Sequence, residues 1–441
     1  MVDCPPTRPR PLPMTSLQST SSHLWRGSLL CLALLTGCSA IGPVPTATAQ
    51  ATTPTVSAAP TATPRQTERV EDLPSRLSIW VAWSPQGVTA LNELIRAFQS
   101  DRPGADFAVA YVRADELRQT LEQAAAEGQL PSLFFAPSLW GPELLQAGMI
   151  RDLADQPVDQ IRAIVHSLAW SQAIQGDSVL GLPVQLDGNV LYRNRELAPV
   201  PAATVEGLVE SSRGFRGTQV IGMNLDYGYS TIVPFGTACG GQLIQPGSLP
   251  DLRGSLGPCW LALLQELSRA GPVAFNSDLD REAFRSGQAG WLIDSTELYE
   301  TLAAELGQAT VAVDPWPIYE ASGEPLAGFV WGENLYFRNE MEPAESKLAW
   351  EFATFLLSAE SQQALSSPVG GGNLPVHAGS LPLVGVYGQM YQALLGGVSR
   401  PLDPPAAEIA EILERAARAV AVQGTSVELA LRRALEELAD V

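Results

Sequence analysis

Gly181-Leu182-Pro183-Val184-Gln185-Leu186-Asp187-Gly188-Asn189-Val190-Leu191-Tyr192-Arg193-Asn194-Arg195 is an apolar run with a polar hole in it. Val184, Leu186, Val190 and Tyr192 suit a pleated strand. Asp187-Gly188-Asn189 sets a carboxylate, a flexible glycine and an amide in its middle. A glycine inside a strand pattern marks a bulge, a bend or a close backbone approach. Two readings stand at this point. The hole is a plain loop between strands, or it is where one strand leaves one domain and enters another, with a ligand at the crossing.

The chain on the N-terminal side of this stretch alternates strand and helix. Residues 77–83 (Leu-Ser-Ile-Trp-Val-Ala-Trp) read as a first strand, followed by Ser84-Pro85-Gln86-Gly87 as a turn. Leu91, Leu94, Ile95 and Phe98 have helical spacing. Residues 107–112 read as a second strand, 115–127 as a second helix, and Leu133-Phe134-Phe135-Ala136 as a short buried third strand. This β-α-β-α-β order predicts an α/β fold with a parallel sheet and right-handed crossovers. Ligands of such sheets bind beyond the carboxyl ends of the strands. Trp83 and Trp140 follow two of those ends, each offering a large flat apolar face with one donor. Packing against the sheet edge is the alternative for either ring.

On the C-terminal side, residues 149–180 read as mostly helical, and Gln219–223 as a short strand leading into Asn224, Asp226, Tyr227 and Tyr229. If extended, Tyr227 and Tyr229 share one strand face. Trp291-Leu292-Ile293-Asp294, residues 311–313 and residues 329–337 read as further strands. Residues 259–270, 346–357, 408–422 and 426–438 read as amphipathic helices, and Gly370-Gly371-Gly372-Asn373 as a loop.

At 441 residues the chain is too long for one ordinary core. Hydrophobic content of 46% with 17% charged residues is globular. A net charge of −20 excludes the basic footprint that nucleic-acid binding needs. The arginines are scattered, and Lys347 is the only lysine.

Near the N-terminus, Arg8, Arg10 and Arg26 precede the apolar run 29–35, which is too short to span a bilayer as a helix and fits a signal-peptide core. Met14 is an alternative start. Leu35-Thr36-Gly37-Cys38 follows and resembles the bacterial lipobox, in which the cysteine is lipidated and becomes the first mature residue. Residues 1–37 are then a lipoprotein signal peptide. Residues 38–75, with Pro43, Pro45, Pro54, Pro60 and Pro64 among Ala and Thr, are a flexible tether. The mature protein lies outside the cytoplasm, held to the membrane by its lipid. There the remaining pair Cys239 and Cys259 favours a disulfide, with two buried thiols as the alternative.

Several pieces together resemble one family. They are residues 77–98, Leu117-Arg118-Gln119-Thr120-Leu121, Pro131 to Phe135, Ala147-Gly148-Met149-Ile150 and the Gly181–195 stretch. Further on come Ala283-Phe284-Arg285-Ser286-Gly287-Gln288-Ala289-Gly290, Ala349-Trp350-Glu351-Phe352-Ala353 and Gly372-Asn373-Leu374-Pro375-Val376. With the lipobox, their number and order resemble the extracellular solute-binding lipoproteins of bacterial ABC importers, in particular the maltose-type sugar-binding group.

The resemblance implies a two-lobed periplasmic-binding-protein fold of type II, each lobe a mainly parallel sheet flanked by helices, with the ligand cleft between. By that analogy one lobe comprises 76–186 plus 333–378 and the other 187–332 plus 379–441. It also implies a carbohydrate ligand, permease subunits as membrane partners, a monomer, and neither cofactor, metal nor catalytic activity. Sugar hydroxyls need strong acceptors, and pyranose faces stack on rings. The candidate contacts are therefore Trp83, Trp140, Asp187, Asn189, Asn224, Asp226, Tyr227, Tyr229, Asp294 and Trp331.

The chain departs from the family where many members carry Asn-Gly-Pro-Trp. Here Asp294-Ser295-Thr296-Glu297 stands, and a stacking aromatic is missing. That favours a smaller sugar, a polyol or a sugar phosphate over long maltodextrins. Rival readings are a polyol-phosphate binder, a ferric-iron binder using Tyr227 and Tyr229, and a cell-surface carbohydrate-active enzyme with a hidden carboxylate pair. Only His166 and His377 remain in the mature chain as imidazole bases.

Overall fold

The computed structural model describes residues 76–441 apart from 216–217, 246–247, 367–372, 381–383 and 404. The signal peptide, Met14, Cys38, the tether and Gly370-Gly371-Gly372 lie outside the described residues. Among the described residues no helix is long and apolar enough to cross a membrane.

Nine strands form one sheet: β1 (Arg76–Val81), β2 (Asp106–Tyr111), β3 (Leu133–Pro137), β4 (Leu182–Asn194), β5 (Ile221–Met223), β6 (Ala289–Ser295), β7 (Val311–Asp314), β8 (Phe329–Phe337) and β9 (Val398–Ser399). The order is β2-β1-β3-β8-β4-β6-β5, with β7 on β4 and β9 on β8. β1 runs parallel to β2 and β3, β6 to β5, and β8 to β9. Within this sheet, among the described residues, every antiparallel pairing involves β4 or β8, the two strands that run through the middle.

Between β1 and β2 runs α1 (Pro85–Asp101). Its buried face is Leu91, Leu94, Ile95 and Phe98, and Phe98 meets Phe107, Phe352 and Phe355 at ring distances of 5.9, 5.3 and 5.4 Å. Ser84-Pro85-Gln86-Gly87 is not a free turn but the start of this helix. Ser84 Oγ accepts from the Gly87 N–H at 3.2 Å, and Pro85 opens the helix with its fixed φ. Serine then proline is as much an N-cap signature as a turn signature, and the helical period behind it decides. α2 (Leu117–Ala126) buries Leu117 and Leu121 on the other face of the sheet.

The segment before β4 holds two short helices, Val158–Arg162 and Ser167–Ser171, and then a two-stranded ribbon pairing Ile174–Gln175 with Ser178–Val179. It is less helical than expected, because Gly176 takes φ +58° and turns the chain.

β4 changes neighbours in its middle. Residues 182–188 pair with β8, and residues 189–193 pair with β6. The switch falls between Gly188 and Asn189. A Cβ on Gly188 would stand 2.5 Å from the Phe329 carbonyl oxygen and 2.7 Å from Leu394 Cδ2, so only glycine lets β4 and β8 approach. β8 carries a register shift between Glu333 and Asn334, and such bulges re-aim side chains.

Beyond the switch, a second apolar region centres on Tyr192, Phe235, Trp260 and Trp291, all essentially buried. Arg193 and Asp314 form a buried ion pair at 2.8 Å that ties β4 to β7, with the guanidinium also donating to the Ala198 carbonyl. Cys239 and Cys259 are joined in a disulfide that pins the 3-10 stretch Val233–Cys239 to α3 (Leu256–Leu267). The helices that close the chain, Ala407–Ala421 and Val427–Leu438, pack on each other and on α3.

Candidate ligand-binding site

Where β4 and β8 cross, the chain encloses an open cavity of about 460 Å³. Each wall follows from a local feature. β1 ends at Val81, so Trp83 and Ser84 sit at its carboxyl end. Trp83 packs on Phe135 at 4.4 Å, and its indole N–H donates to Glu333. β3 ends in the one-turn helix Ser138–Trp140, which presents Trp140. Arg118 stacks over Trp140 at 5.3 Å, and is itself paired with Glu122 and Glu143.

β4 contributes Gln185 and Asp187, two apart and on one face. β8 contributes Trp331 and Glu333 with the same spacing. Thr296 and Glu297 come from the turn after β6. Tyr299 and Glu300 open the next helix, α4 (Tyr299–Leu306). Tyr387 and Met390 come from Gly385–Leu395. The Tyr387 hydroxyl donates to Glu300.

Asp187 is the centre of this arrangement and is 3% exposed. Its Oδ1 accepts from the Gly188 N–H at 2.7 Å, from Ser295 Oγ at 3.2 Å and from Thr296 Oγ1. Its Oδ2 is buried and meets no fixed donor, a protonated Glu297 being the one group placed to give Asp187 another hydrogen bond, and Gln185 Oε1 meets none. Glu297 projects into the cavity, where its side chain is still reached by solvent. The Asp187 charge first, then crowding by protein and a hydrogen bond that it gives Asp187 when protonated, hold its carboxyl well above the usual range. Burial raises Glu333 to about 7, with the Asp187 charge adding and the Trp83 N–H opposing. Among the described residues no Lys, Arg or His lines the cavity.

Of the candidates read from the sequence, Trp83, Trp140, Asp187 and Trp331 meet here. The other six do not line the cavity, and each has a physical reason. Tyr227 is fully buried with its hydroxyl on the Leu264 carbonyl. The short strand Leu225–Asp226 ends before it and Gly228 opens a helical turn at Tyr229, so the two tyrosines share no strand face. Tyr229 packs on Phe329 at 6.1 Å. Asp226 caps the Gly228 and Asn276 N–H groups at 3.0 and 2.7 Å, and Asn224 is buried beside it in sequence. Asp294 is drawn to Arg281 by two bonds of 2.8 and 3.1 Å. The Asn189 amide reaches the Ser230 carbonyl at 3.4 Å.

The residues that the sequence reading missed are Gln185, Glu297, Tyr299, Glu300, Glu333 and Tyr387. Gln185 and Glu333 had a signal: each stands two positions from a chosen residue on the same strand. Glu297 was noticed only as the absence of an aromatic.

A cleft where two sets of strands exchange partners, walled by rings and holding unsatisfied acceptors, defines a binding protein of the two-lobed α/β class. The family of bacterial extracellular solute-binding proteins matches residues 93–390, more than half of the chain, and the chain belongs to that family. No curated protein matches it. Solved structures with the same fold include a cyclo/maltodextrin-binding protein complexed with maltotetraose (19% identity, 84% of this chain and 98% of that one, TM-score 0.70). Another is the cyclic α-maltosyl-1,6-maltose binding protein of Arthrobacter globiformis (17%, 83% and 98%, TM-score 0.68). A third is the GacH receptor of Streptomyces glaucescens, solved unliganded and with acarbose (16%, 84% and 100%, TM-score 0.62).

Proposed function

We propose that this chain is the substrate-binding lipoprotein of an ABC importer, which captures a carbohydrate between two lobes and delivers it to permease subunits in the membrane. The observation that carries the reading is Asp187. A nearly buried carboxylate on the crossing strand keeps one oxygen without a fixed donor, in a cavity ringed by Trp83, Trp140 and Trp331. Sugar hydroxyls supply the missing donors and pyranose faces suit the rings. The carbohydrate ligands named for the solved structures of this fold support the same class.

In this reading the lobes are 76–186 plus 333–378 and 187–332 plus 379–441, and closure is a hinge motion favoured by ligand contacts with both. The change of β4 partners between Gly188 and Asn189 supports the first boundary. Cys38 carries the lipid, residues 38–75 tether the domain, and the monomer works on the extracytoplasmic face. A phosphorylated ligand is disfavoured, because such a group seeks converging cations and the cavity lining has none among the described residues. Ferric iron is disfavoured by the burial of Tyr227 and the separation of Tyr229 from the cleft. Glu297 lies within hydrogen-bonding reach of Asp187. Glycosidase carboxyls stand about 5–9.5 Å apart to admit the scissile bond.

A thermal-shift screen over mono-, di- and oligosaccharides, followed by calorimetry, tests this reading. At a ligand concentration one hundred times Kd, the stabilisation expected is about 2.7 kcal/mol. No shift with any carbohydrate, or turnover of a labelled glycan, overturns it.

A further inference from the structure

The charge inventory of the cleft is one-sided, with carboxyls in its lining and, among the described residues, no Lys, Arg or His. The two buried lining atoms without partners, Asp187 Oδ2 and Gln185 Oε1, are both acceptors. Four carboxyl side chains, Asp187, Glu297, Glu300 and Glu333, line the one space. Two of the donors that line it are already engaged, the Trp83 indole by Glu333 and the Tyr387 hydroxyl by Glu300. Guanidinium groups close to the lining serve other partners. Arg281 is bound to Asp294, Arg118 to Glu122 and Glu143, and Arg400 stacks on Trp331 at 5.5 Å while lining a neighbouring cavity.

A sugar hydroxyl finds donors here in Gln185, Asn373, Tyr299 and the Trp140 and Trp331 indoles, but it carries no charge to set against four carboxyls. An ammonium brings three donors and no acceptor. Aromatic faces beside a carboxylate also suit a cation electrostatically.

We propose that the solute is an amino sugar whose ammonium group sits against Asp187 and Glu297. This rests on the carbohydrate reading and narrows it. Tyr299, Tyr387, Glu300 and Glu333 line the same space, Asp294 adds to the negative field at Glu297 from outside it while paired with Arg281, and Arg195 acts on Tyr299 from outside the lining. The Asp187 charge beside it raises the affinity of Glu297 for a proton. An arriving ammonium offsets that charge and so lowers the proton affinity of Glu297.

The test is calorimetry on the full chain near pH 7, in two buffers of different ionisation enthalpy. The probes are hexoses and 1,4-linked disaccharides of both anomers, each matched with the counterpart carrying an amino group in place of one hydroxyl. The expected result is an amino-bearing member that binds at least tenfold tighter than its hydroxyl match and releases protons on binding. Glu297→Gln, nearly the same shape, should abolish the proton release and most of the advantage, and a cooperative thermal melt of the variant excludes misfolding. Asp187→Asn serves as the second variant. A neutral sugar that binds as tightly as its amino counterpart overturns the proposal and leaves the carbohydrate reading standing. Absence of binding by every sugar and by an aliphatic diamine run beside them overturns both. Binding of an aliphatic diamine alone refutes the carbohydrate reading while upholding the ammonium site.

Discussion

Asp187→Asn separates the two oxygens of the central carboxylate. The Gly188 N–H can only donate, and it holds Oδ1 at 2.7 Å. The asparagine oxygen must therefore stay in the Oδ1 place, and the new NH₂ takes the Oδ2 place, where it offers Glu297 and the ligand a donor in place of an acceptor. The contacts from Ser295 and Thr296 to Oδ1 survive as neutral bonds. What changes is the face shown to the ligand, from charged acceptor to donor. A hydrogen bond to a charged group contributes about 1.5–3 kcal/mol net. Affinity should then fall by about 10- to 150-fold. Folding stability at neutral pH should hold or rise, because the substitution removes the charge that raises Glu297 and Glu333. Calorimetric Kd for the best carbohydrate and the urea midpoint read the two effects separately. A Kd within twofold of the parent, or a loss of cooperative unfolding, refutes the division of labour between Oδ1 and Oδ2.

Gly188→Ala places a methyl 2.5 Å from the Phe329 carbonyl oxygen, so β4 and β8 must part; overpacking of this kind costs about 1–3 kcal/mol, read as a lower urea midpoint at unchanged slope. Glu333 has a folded pKa raised to about 7 from a model-compound value of 4.5, so its contribution to stability is full below about pH 4.5 and is lost as pH rises through 7. Glu333→Gln keeps an acceptor for Trp83 and should flatten the fall in melting temperature across that window; an unchanged slope would mean that another group causes it. Removing the Cys239–Cys259 bridge by double alanine substitution frees a loop with a sequence separation of 20 and should cost about 3 kcal/mol by the chain-entropy argument, measured by chemical denaturation with and without reductant.

The alternation in residues 77–136 made the parallel unit of β1, β2 and β3 legible, because strand and helix there carry different periods. The crossing was legible too, since Asp187-Gly188-Asn189 breaks a strand that otherwise has no reason to break. Half of the cleft was not. Tyr227 and Tyr229 looked like a pair because a period of two assumes an extended chain, and Gly228 starts a helical turn between them. Asp294 looked like a ligand contact because a strand-end carboxylate is exposed to the cleft in the sequence pattern; Arg281, 13 residues earlier, claims it through space. Glu333 could not be told from a surface glutamate, since its burial comes from Trp83, 250 residues away.

The polar break in β4 therefore has two functions that a single residue type can hold together. Oδ1 ties the crossing strand to Ser295 and Thr296, which follow β6. Oδ2 has no fixed donor and is open to Glu297 or to a ligand. An amide at this position ties equally well but shows the ligand a donor, and an aliphatic residue does neither. Glutamate would carry the same charge one methylene further, away from the Gly188 N–H that fixes the geometry. Aspartate before a glycine is what permits close strand approach, a fixed Oδ1 and a free Oδ2 at one point. The same economy explains why Glu297 is tolerable beside it. The group that raises its proton affinity in the empty cleft is the one whose charge a positively charged ligand would neutralise.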